Sequence, residues 1–198
     1  EAAGHAACAR SAIGLGHMMM TTQRIGVFLS SKEKLHGRYT QATLALGELI
    51  GRTGRTLVYG GARKGLMEVL AQQVKRHGGK VMGMVPDILV QRGLVSDAID
   101  IEFRCADLSD RKAAMVRESD VLVALPGGIG TLDEVFTVLG NTCIGIERKP
   151  MVLLNVNDCW TPLLQCLDRL FEEGLISGQP ADYYSVAHNV HELETLLG

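Results

Sequence analysis

The fold of this chain is decided by residues 121–139, which read VLVALPGGIGTLDEVFTVL. The apolar run at 121–125 has the length and composition of a buried strand, and Pro126-Gly127-Gly128 ends it. A helix is predicted to start at Gly130-Thr131, because apolar residues then recur at helical spacing. Its buried face is predicted to hold Val135, Phe136 and Leu139.

The glycine loop between this strand and helix has two interpretations. As a phosphate cradle, it lets first-turn N–H groups approach an anion, which the helix dipole also attracts. Glu134 would then lie one turn inside the helix, beside the bound group. As a structural turn, Thr131-Leu132-Asp133-Glu134 is a capping box that only satisfies free helix N–H groups. The local pattern alone leaves both interpretations open.

Strands and helices alternate along the rest of the chain. The predicted strands are 24–31, 55–60, 80–85, 99–104, 121–125 and 150–156. The predicted helices are 39–52, one that ends at Lys75, 108–118 with Ser109 as its N-cap, the central helix, 160–173 and 190–197. This alternation predicts one α/β domain with a single doubly wound, mostly parallel sheet and helices on both faces.

Three segments need separate interpretation. Residues 1–23 are rich in Ala, Gly and Met and contain Gly16-His17-Met18, so we expect an expression tag or an N-terminal extension there and a Rossmann-like domain over 24–198. Residues 87–97 form a longer connection that could cover a cleft. The broad apolar stripe of helix 160–173 fits either core packing or a subunit interface.

Composition excludes several classes of protein. The 198 residues are 46% hydrophobic and 21% charged, which indicates a globular domain. A net charge of -2 argues against a nucleic-acid-coating protein, and no apolar run approaches the ~20 residues of a membrane span. The five cysteines form no C-x-x-C pair, so we expect free thiols and a cytoplasmic location. His188 and His191 have no accompanying ligand cluster, so no metal site is expected.

Two further motifs accompany the central one. Residues 59–67 form a second glycine loop, YGGARKGLM, in which Arg63 and Lys64 are either solvated charges or phosphate contacts. This loop matches neither a Walker loop nor a dinucleotide fingerprint. Residues 110–113 read DRKA, and residues 126–134 fit P-G-G-x-G-T-x-x-E.

Together these motifs resemble the LOG family, the cytokinin riboside 5′-monophosphate phosphoribohydrolases, which are often mislabelled as lysine decarboxylases. The resemblance runs from about Arg24 to Leu197 and is complete in the P-G-G-x-G-T-x-x-E motif. The chain departs from the family's other motifs at Phe28-Leu29, Ala62, Glu68 and Leu108-Ser109.

The resemblance implies a Rossmann-like fold and a homodimer or a larger assembly of dimers. It implies hydrolysis of the N-glycosidic bond of a nucleoside 5′-monophosphate, such as AMP or its N6-isopentenyl derivative, without a cofactor. The products are the free base and ribose 5-phosphate. By motif position, Arg111 and Glu134 are the implied catalytic residues. The implied substrate and phosphate ligands are Ser30, Gly60, Gly61, Lys112, Gly127, Gly128, Gly130 and Thr131.

The chemistry at C1′ gives Glu134 a role that does not depend on the family. Bond cleavage builds positive charge on the ribose, which a carboxylate can stabilise. An arginine can anchor the phosphate or keep that carboxylate ionised. Because a purine is a better leaving group than an alcohol, one carboxylate can suffice, and Asp133 is expected to point elsewhere. We also expect Glu134 to cap its helix in the empty protein and to turn to the ribose when nucleotide binds.

Two other functions are compatible with the pattern. A non-catalytic carrier of molybdenum cofactor would use the glycine loops but would not need the Arg111/Glu134 pair. A pyridoxal-phosphate lysine decarboxylase would need a Schiff-base lysine, for which the sequence offers no context.

Overall fold

The computed structural model describes residues 23–198, which form a parallel sheet between two layers of helices. The strands are β1 (Arg24–Phe28), β2 (Thr56–Tyr59), β3 (Lys80–Pro86), β4 (Ile101–Cys105), β5 (Val121–Ala124), β6 (Met151–Leu154) and β7 (Ser185–Ala187). The helices are α1 (Gly37–Arg52), α2 (Gly65–Arg76), α3 (Asp87–Gln91), α4 (Leu108–Glu118), α5 (Ile129–Cys143), α6 (Thr161–Glu172) and α7 (Val190–Leu197). The predicted fold class is confirmed. The predicted tag lies outside the described range except for Gln23, and the predicted domain boundary stays a prediction.

The strands lie in the order β4-β3-β2-β1-β5-β6-β7. Starting from β1, the chain adds β2, β3 and β4 toward one edge of the sheet and then returns to add β5, β6 and β7 toward the other. β1 lies between β2 and β5 and pairs with both in parallel, so the three strands end at the same edge. The connection after β1 leads to α1 on one face, whereas the connection after β5 leads to α5 on the other. The chain therefore opens a crevice at the carboxyl ends of β1 and β5, where open α/β sheets bind their ligands.

Two apolar cores, one on each face, hold the layers together. In β5, Val121 and Val123 pack into the core beneath α1, α2 and α7, while Leu122 and Ala124 pack beneath α4, α5 and α6. Successive strand residues point to opposite faces, and both faces are covered. This double burial explains why the strand reads as an uninterrupted apolar run.

Two predictions about helices are wrong in detail, and one interpretation left open is now supported. Phe136 is 48% exposed, although it was predicted on the buried face of α5, because it points about 100° away from its neighbour Val135. Asp107, and not Ser109, caps α4: its carboxylate accepts from the backbone N–H groups of Ser109 and Asp110. α6 packs through Leu167 into the second core, which supports the core-packing interpretation of its stripe.

The connection predicted over 87–97 contains the short helix α3 and then pairs with the second glycine loop. The Arg63 N–H donates to the Leu94 carbonyl at 2.7 Å, and the Ser96 N–H donates to the Gly61 carbonyl at 3.0 Å. Gly61 has a φ of +75°, a conformation that favours glycine. The connection thus braces the loop that follows β2.

The structure also bears on membrane-spanning helices, disulfides and metal-binding clusters. Within residues 23–198, no helix is long and apolar enough to cross a membrane. The cysteines described in that range, Cys105, Cys143, Cys159 and Cys166, are free thiols. The same part of the chain has no group of three or more His, Cys, Asp or Glu side chains that could hold a metal ion.

Candidate active site

The predicted site residues follow three adjacent strands. Ser30 lies just after β1, Gly60 and Gly61 follow β2, and Pro126-Gly127 comes after β5. The Leu125 N–H donates to the Phe28 carbonyl at 2.9 Å, so the chain leaving β5 stays beside the chain leaving β1. Ser30 is buried, and its hydroxyl accepts from the Lys32 N–H at 3.1 Å. The strand order therefore gathers the two glycine loops and Ser30 at one edge.

Arg111 and Glu134 form an ion pair between α4 and α5. Nη2 of Arg111 donates to Oε1 of Glu134 at 2.7 Å, and Glu134 is only 3% exposed. The guanidinium also lies against Gly60, since a Cβ at that position would be 3.5 Å from Nη1 of Arg111. Nε of Arg111 is buried and finds no acceptor in the described part of the chain. Both predicted catalytic residues thus meet beside the second glycine loop.

Burial sets the acidity of Glu134. Removal from water raises the pKa of its carboxyl to about 7. The positive charge of Arg111 opposes this rise, Asp133 adds to it, and Lys112 opposes it. Near neutral pH the carboxyl therefore exists in both protonation states, which suits a group that must handle a proton.

The capping-box interpretation of the start of α5 is wrong. The N-cap is Gly128, no side chain caps the helix, and Glu134 lies in the second turn with Arg111 as its partner. The expected capping role of Glu134 in the empty protein is wrong for the same reason. Because the first-turn N–H groups receive no side-chain cap, they remain available to an anion.

Each glycine of the first loop has different surroundings. A Cβ at Gly127 would overlap the hydroxyl of Thr131, which is itself buried. A Cβ at Gly128 or Gly130 would meet nothing within 4 Å. Gly127 is thus needed for packing, whereas Gly128 and Gly130 leave open space at the helix start.

A second ion pair lies beside the first and was missed from the sequence. Nζ of Lys112 donates to both carboxylate oxygens of Asp133, each at 2.8 Å. The available signal was a complementary pair of doublets, Arg-Lys in α4 and Asp-Glu in α5. Asp133 therefore faces Lys112. This agrees with the expectation that Asp133 points in a different direction from Glu134.

Arg63 takes a structural position in the second loop. Its guanidinium donates to Asp97 at 3.0 Å and to the Gly93 carbonyl at 2.9 Å. These bonds tie the loop to the segment after α3. They also engage the Arg63 guanidinium, which was a candidate phosphate contact, in contacts within the protein.

Comparison with known proteins identifies relatives over most of the chain. A family model described as "Possible lysine decarboxylase" matches residues 67–197. The cytokinin riboside 5′-monophosphate phosphoribohydrolase LOG7 of Arabidopsis thaliana is 37% identical over 171 residues, which are 86% of this chain and 79% of that protein. LOG4 of the same plant, which carries the same enzyme name, is 40% identical over 154 residues, 78% of this chain and 72% of its own length.

Solved structures of similar fold carry different names. The molybdenum cofactor binding protein of Rippkaea orientalis superposes with a TM-score of 0.67 at 28% identity, covering 90% of this chain and 96% of that one. The molybdenum cofactor carrier protein of Chlamydomonas reinhardtii gives a TM-score of 0.68 at 27% identity, covering 88% and 96%.

Proposed function

We propose that this chain, which belongs to the cytokinin riboside 5′-monophosphate phosphoribohydrolase family, is an N-glycosidic hydrolase. The bond that it cleaves is the N-glycosidic bond of nucleoside 5′-monophosphates. The substrates are AMP and its N6-substituted forms, such as N6-isopentenyladenosine monophosphate, and the products are the free base and ribose 5-phosphate. The observation that carries the proposal is the buried Arg111–Glu134 pair beside two glycine loops. A site that only holds phosphate gains nothing from a buried carboxylate, which repels the anion.

The phosphate is assigned to the start of α5. Backbone N–H groups at Gly128, Gly130 and Thr131 would donate to its oxygens, and the absence of a side chain at the glycines permits close approach. Lys112 can contribute as well, because an ammonium has three N–H donors and Asp133 takes only two of them. Gly127 holds the loop by packing against Thr131.

The remaining predicted ligands belong to the other two strand ends. Ser30, Gly60 and Gly61 line the same edge of the sheet and are assigned to the ribose and phosphate side of the nucleotide. With the phosphate at α5, the ribose extends toward Glu134, one turn farther along the same helix. This placement brings C1′ close to the buried carboxylate.

Glu134 is assigned to the reacting carbon. When the bond from C1′ to the base breaks, the electron pair leaves with the base and positive charge develops on the ribose. The ionised carboxylate stabilises that charge and accepts a proton from the water whose oxygen adds to C1′. The same proton then passes to the departed base, which returns Glu134 to its ionised form. Arg111 keeps the carboxylate aimed through the 2.7 Å bond.

Replacement of Glu134 by Gln tests this assignment. Gln keeps the shape of the side chain but cannot carry the negative charge, so kcat for base release should fall at least ~100-fold, about 2.7 kcal/mol of barrier. The assay measures free adenine or N6-isopentenyladenine from the monophosphates, with the unphosphorylated riboside as the negative control. Turnover like that of the wild type would refute the mechanism.

The pH dependence gives an independent measurement. Because the pKa of Glu134 is raised to about 7, its ionised fraction grows from about one tenth at pH 6 to about nine tenths at pH 8. The ionised form is the reactive one, so kcat/KM should rise with pH through this range in the wild type. The residual activity of Glu134→Gln should lack that rise. A wild-type profile that is flat between pH 6 and 8 would contradict the assignment.

A second candidate function is the transport of a phosphate-bearing cofactor without catalysis. It is favoured by the similarity to the two molybdenum cofactor proteins. Such a carrier would bind the cofactor tightly and release no base from any nucleotide. A lysine decarboxylase, which the family model's description suggests, would show a pyridoxal absorbance band in the purified protein.

We also propose that the protein forms a homodimer through α5. Apolar side chains follow this helix on its exposed side: Ile129 is 82% exposed, Phe136 is 48% exposed, and Ile144, just past the helix, is 69% exposed. Large apolar groups repeated along one helix are typical of a surface that a second subunit covers.

A further inference from the structure

Two ion pairs at consecutive positions join α4 to α5. Arg111 pairs with Glu134, and the next residue of α4, Lys112, pairs with the preceding residue of α5, Asp133. Lys112 is mostly shielded, with 16% of its side chain exposed, whereas Asp133 is 57% exposed. The carboxylate of Asp133 therefore reaches inward from the surface to hold a cation that lies between the helices.

We propose that the Lys112–Asp133 pair is a positioning element that locks α4 against α5 in the register at which Arg111 reaches Glu134. Consecutive helix residues point about 100° apart and are 1.5 Å apart along the axis. The shared core sets the overall placement of α4 and α5. Two ion pairs that point in different directions restrain the remaining rotation and sliding between the helices more than one pair does. The inference rests on the proposed function for its kinetic consequences, but the two ion pairs themselves are formed by this chain's own side chains.

The pair also balances the charges around Glu134. The charged groups that act on this carboxyl are Arg111 and Lys112 from α4 and Asp133 from α5 itself. Asp133 raises its pKa and Lys112 lowers it, and the two groups are bound to each other, so their effects oppose one another. Loss of one partner would leave Glu134 under the unbalanced charge of the other. Loss of Asp133 should therefore lower the pKa of Glu134, and loss of Lys112 should raise it.

Asp133→Asn is the informative change, because it releases the lock and leaves the charge of Lys112 available to a phosphate. We expect kcat to fall roughly tenfold, since small misplacements of reacting groups are costly, with little change in KM. The rise of kcat/KM with pH should also move to lower pH. Lys112→Met should move it to higher pH, and Asp133→Glu, which retains the charge, should recover most of the rate.

Glu118→Gln is the matched control. Glu118 ends α4, pairs with Arg24 at 2.8 Å and lies at the opposite end of the helix from Arg111. It also pairs with Arg117, so the substitution removes two ion pairs of α4 without touching the two that face α5. The control should leave kcat, KM and the pH profile unchanged.

Carbon NMR of protein labelled with ¹³C at the Glu carboxyl carbons separates this inference from the proposed function. The Glu134 signal is identified by its loss in Glu134→Gln, and its titration is followed in wild type, Asp133→Asn and Lys112→Met. Opposite displacements of the titration support the inference even if no nucleotide is hydrolysed, in which case only the proposed function fails. The inference would be overturned if Asp133→Asn left both the titration of Glu134 and kcat unchanged. It would also be overturned if a raised KM in Lys112→Met were the only effect seen in the two variants.

Discussion

Alanine at Gly127 and at Gly130 should affect different properties of the protein. A Cβ at Gly127 would overlap the Thr131 hydroxyl and lie 2.6 Å from its Cβ. Thr131 is only 3% exposed and cannot swing away into solvent. At Gly130 a Cβ would meet no atom within 4 Å, and the residue is already helical. One substitution thus strains the loop, and the other only adds a methyl group to its open side.

The expected magnitudes differ accordingly. Overpacking costs about 1–3 kcal/mol, which lowers Tm by about 2–12 °C in a chain of this size. Gly130→Ala should leave Tm unchanged or raise it slightly, because Ala favours a helix by up to about 1 kcal/mol over Gly. The added methyl stands where a phosphate would approach the first-turn N–H groups. We therefore expect KM to rise roughly tenfold, equivalent to ~1.4 kcal/mol of binding.

Thermal unfolding and steady-state base release from AMP, measured on the same preparations, check both expectations. The riboside without phosphate serves as the control, because its weak turnover should not respond to Gly130→Ala. If Gly130→Ala bound the nucleotide as tightly as the wild type, the assignment of the phosphate to the start of α5 would be refuted. An unchanged Tm in Gly127→Ala would refute the packing argument.

Two further predictions concern other parts of the site. Arg111→Lys keeps the charge but loses the planar group that contacts both Glu134 and Gly60, so kcat should fall at least ~10-fold with Tm little changed; a wild-type rate would show that charge alone suffices. Phe136→Asp places a charge on the exposed side of α5 and should convert a dimer to monomers in sedimentation velocity; a wild-type protein that is already monomeric at micromolar concentration would contradict the proposed interface.

The sequence predicted those elements that bury apolar residues over enough length. β5 and β6 are buried along their whole length, so their apolar runs were visible. β7 has three residues, of which only Ala187 is buried, and α3 has five residues, none of them buried. Neither element is long enough to show a period, and contact with the rest of the fold determines its structure.

The sequence predicted which residues come together in the candidate site but not their hydrogen-bond and ion-pair partners. The P-G-G-x-G-T-x-x-E motif pointed to Glu134, yet the helix begins at Ile129, so Thr131 is already in its first turn and cannot cap it. The bond from Arg111 joins residues 23 apart in sequence. It exists only because α4 crosses the same face of the sheet as α5, which no local pattern reports.

Burial and the arginine shift the pKa of Glu134 in opposite directions, and the proposed mechanism needs both. Without Arg111, burial alone would hold the carboxyl in its neutral form at neutral pH, and the positive ribose would meet no negative charge. Without burial, the carboxylate would be ionised but well solvated, and its interaction with that charge would be weak. A pKa of about 7 reflects this balance: the charge is available near neutral pH in a place with little water. In the proposed mechanism, Glu134 therefore stabilises the ribose cation strongly and still accepts a proton from the attacking water.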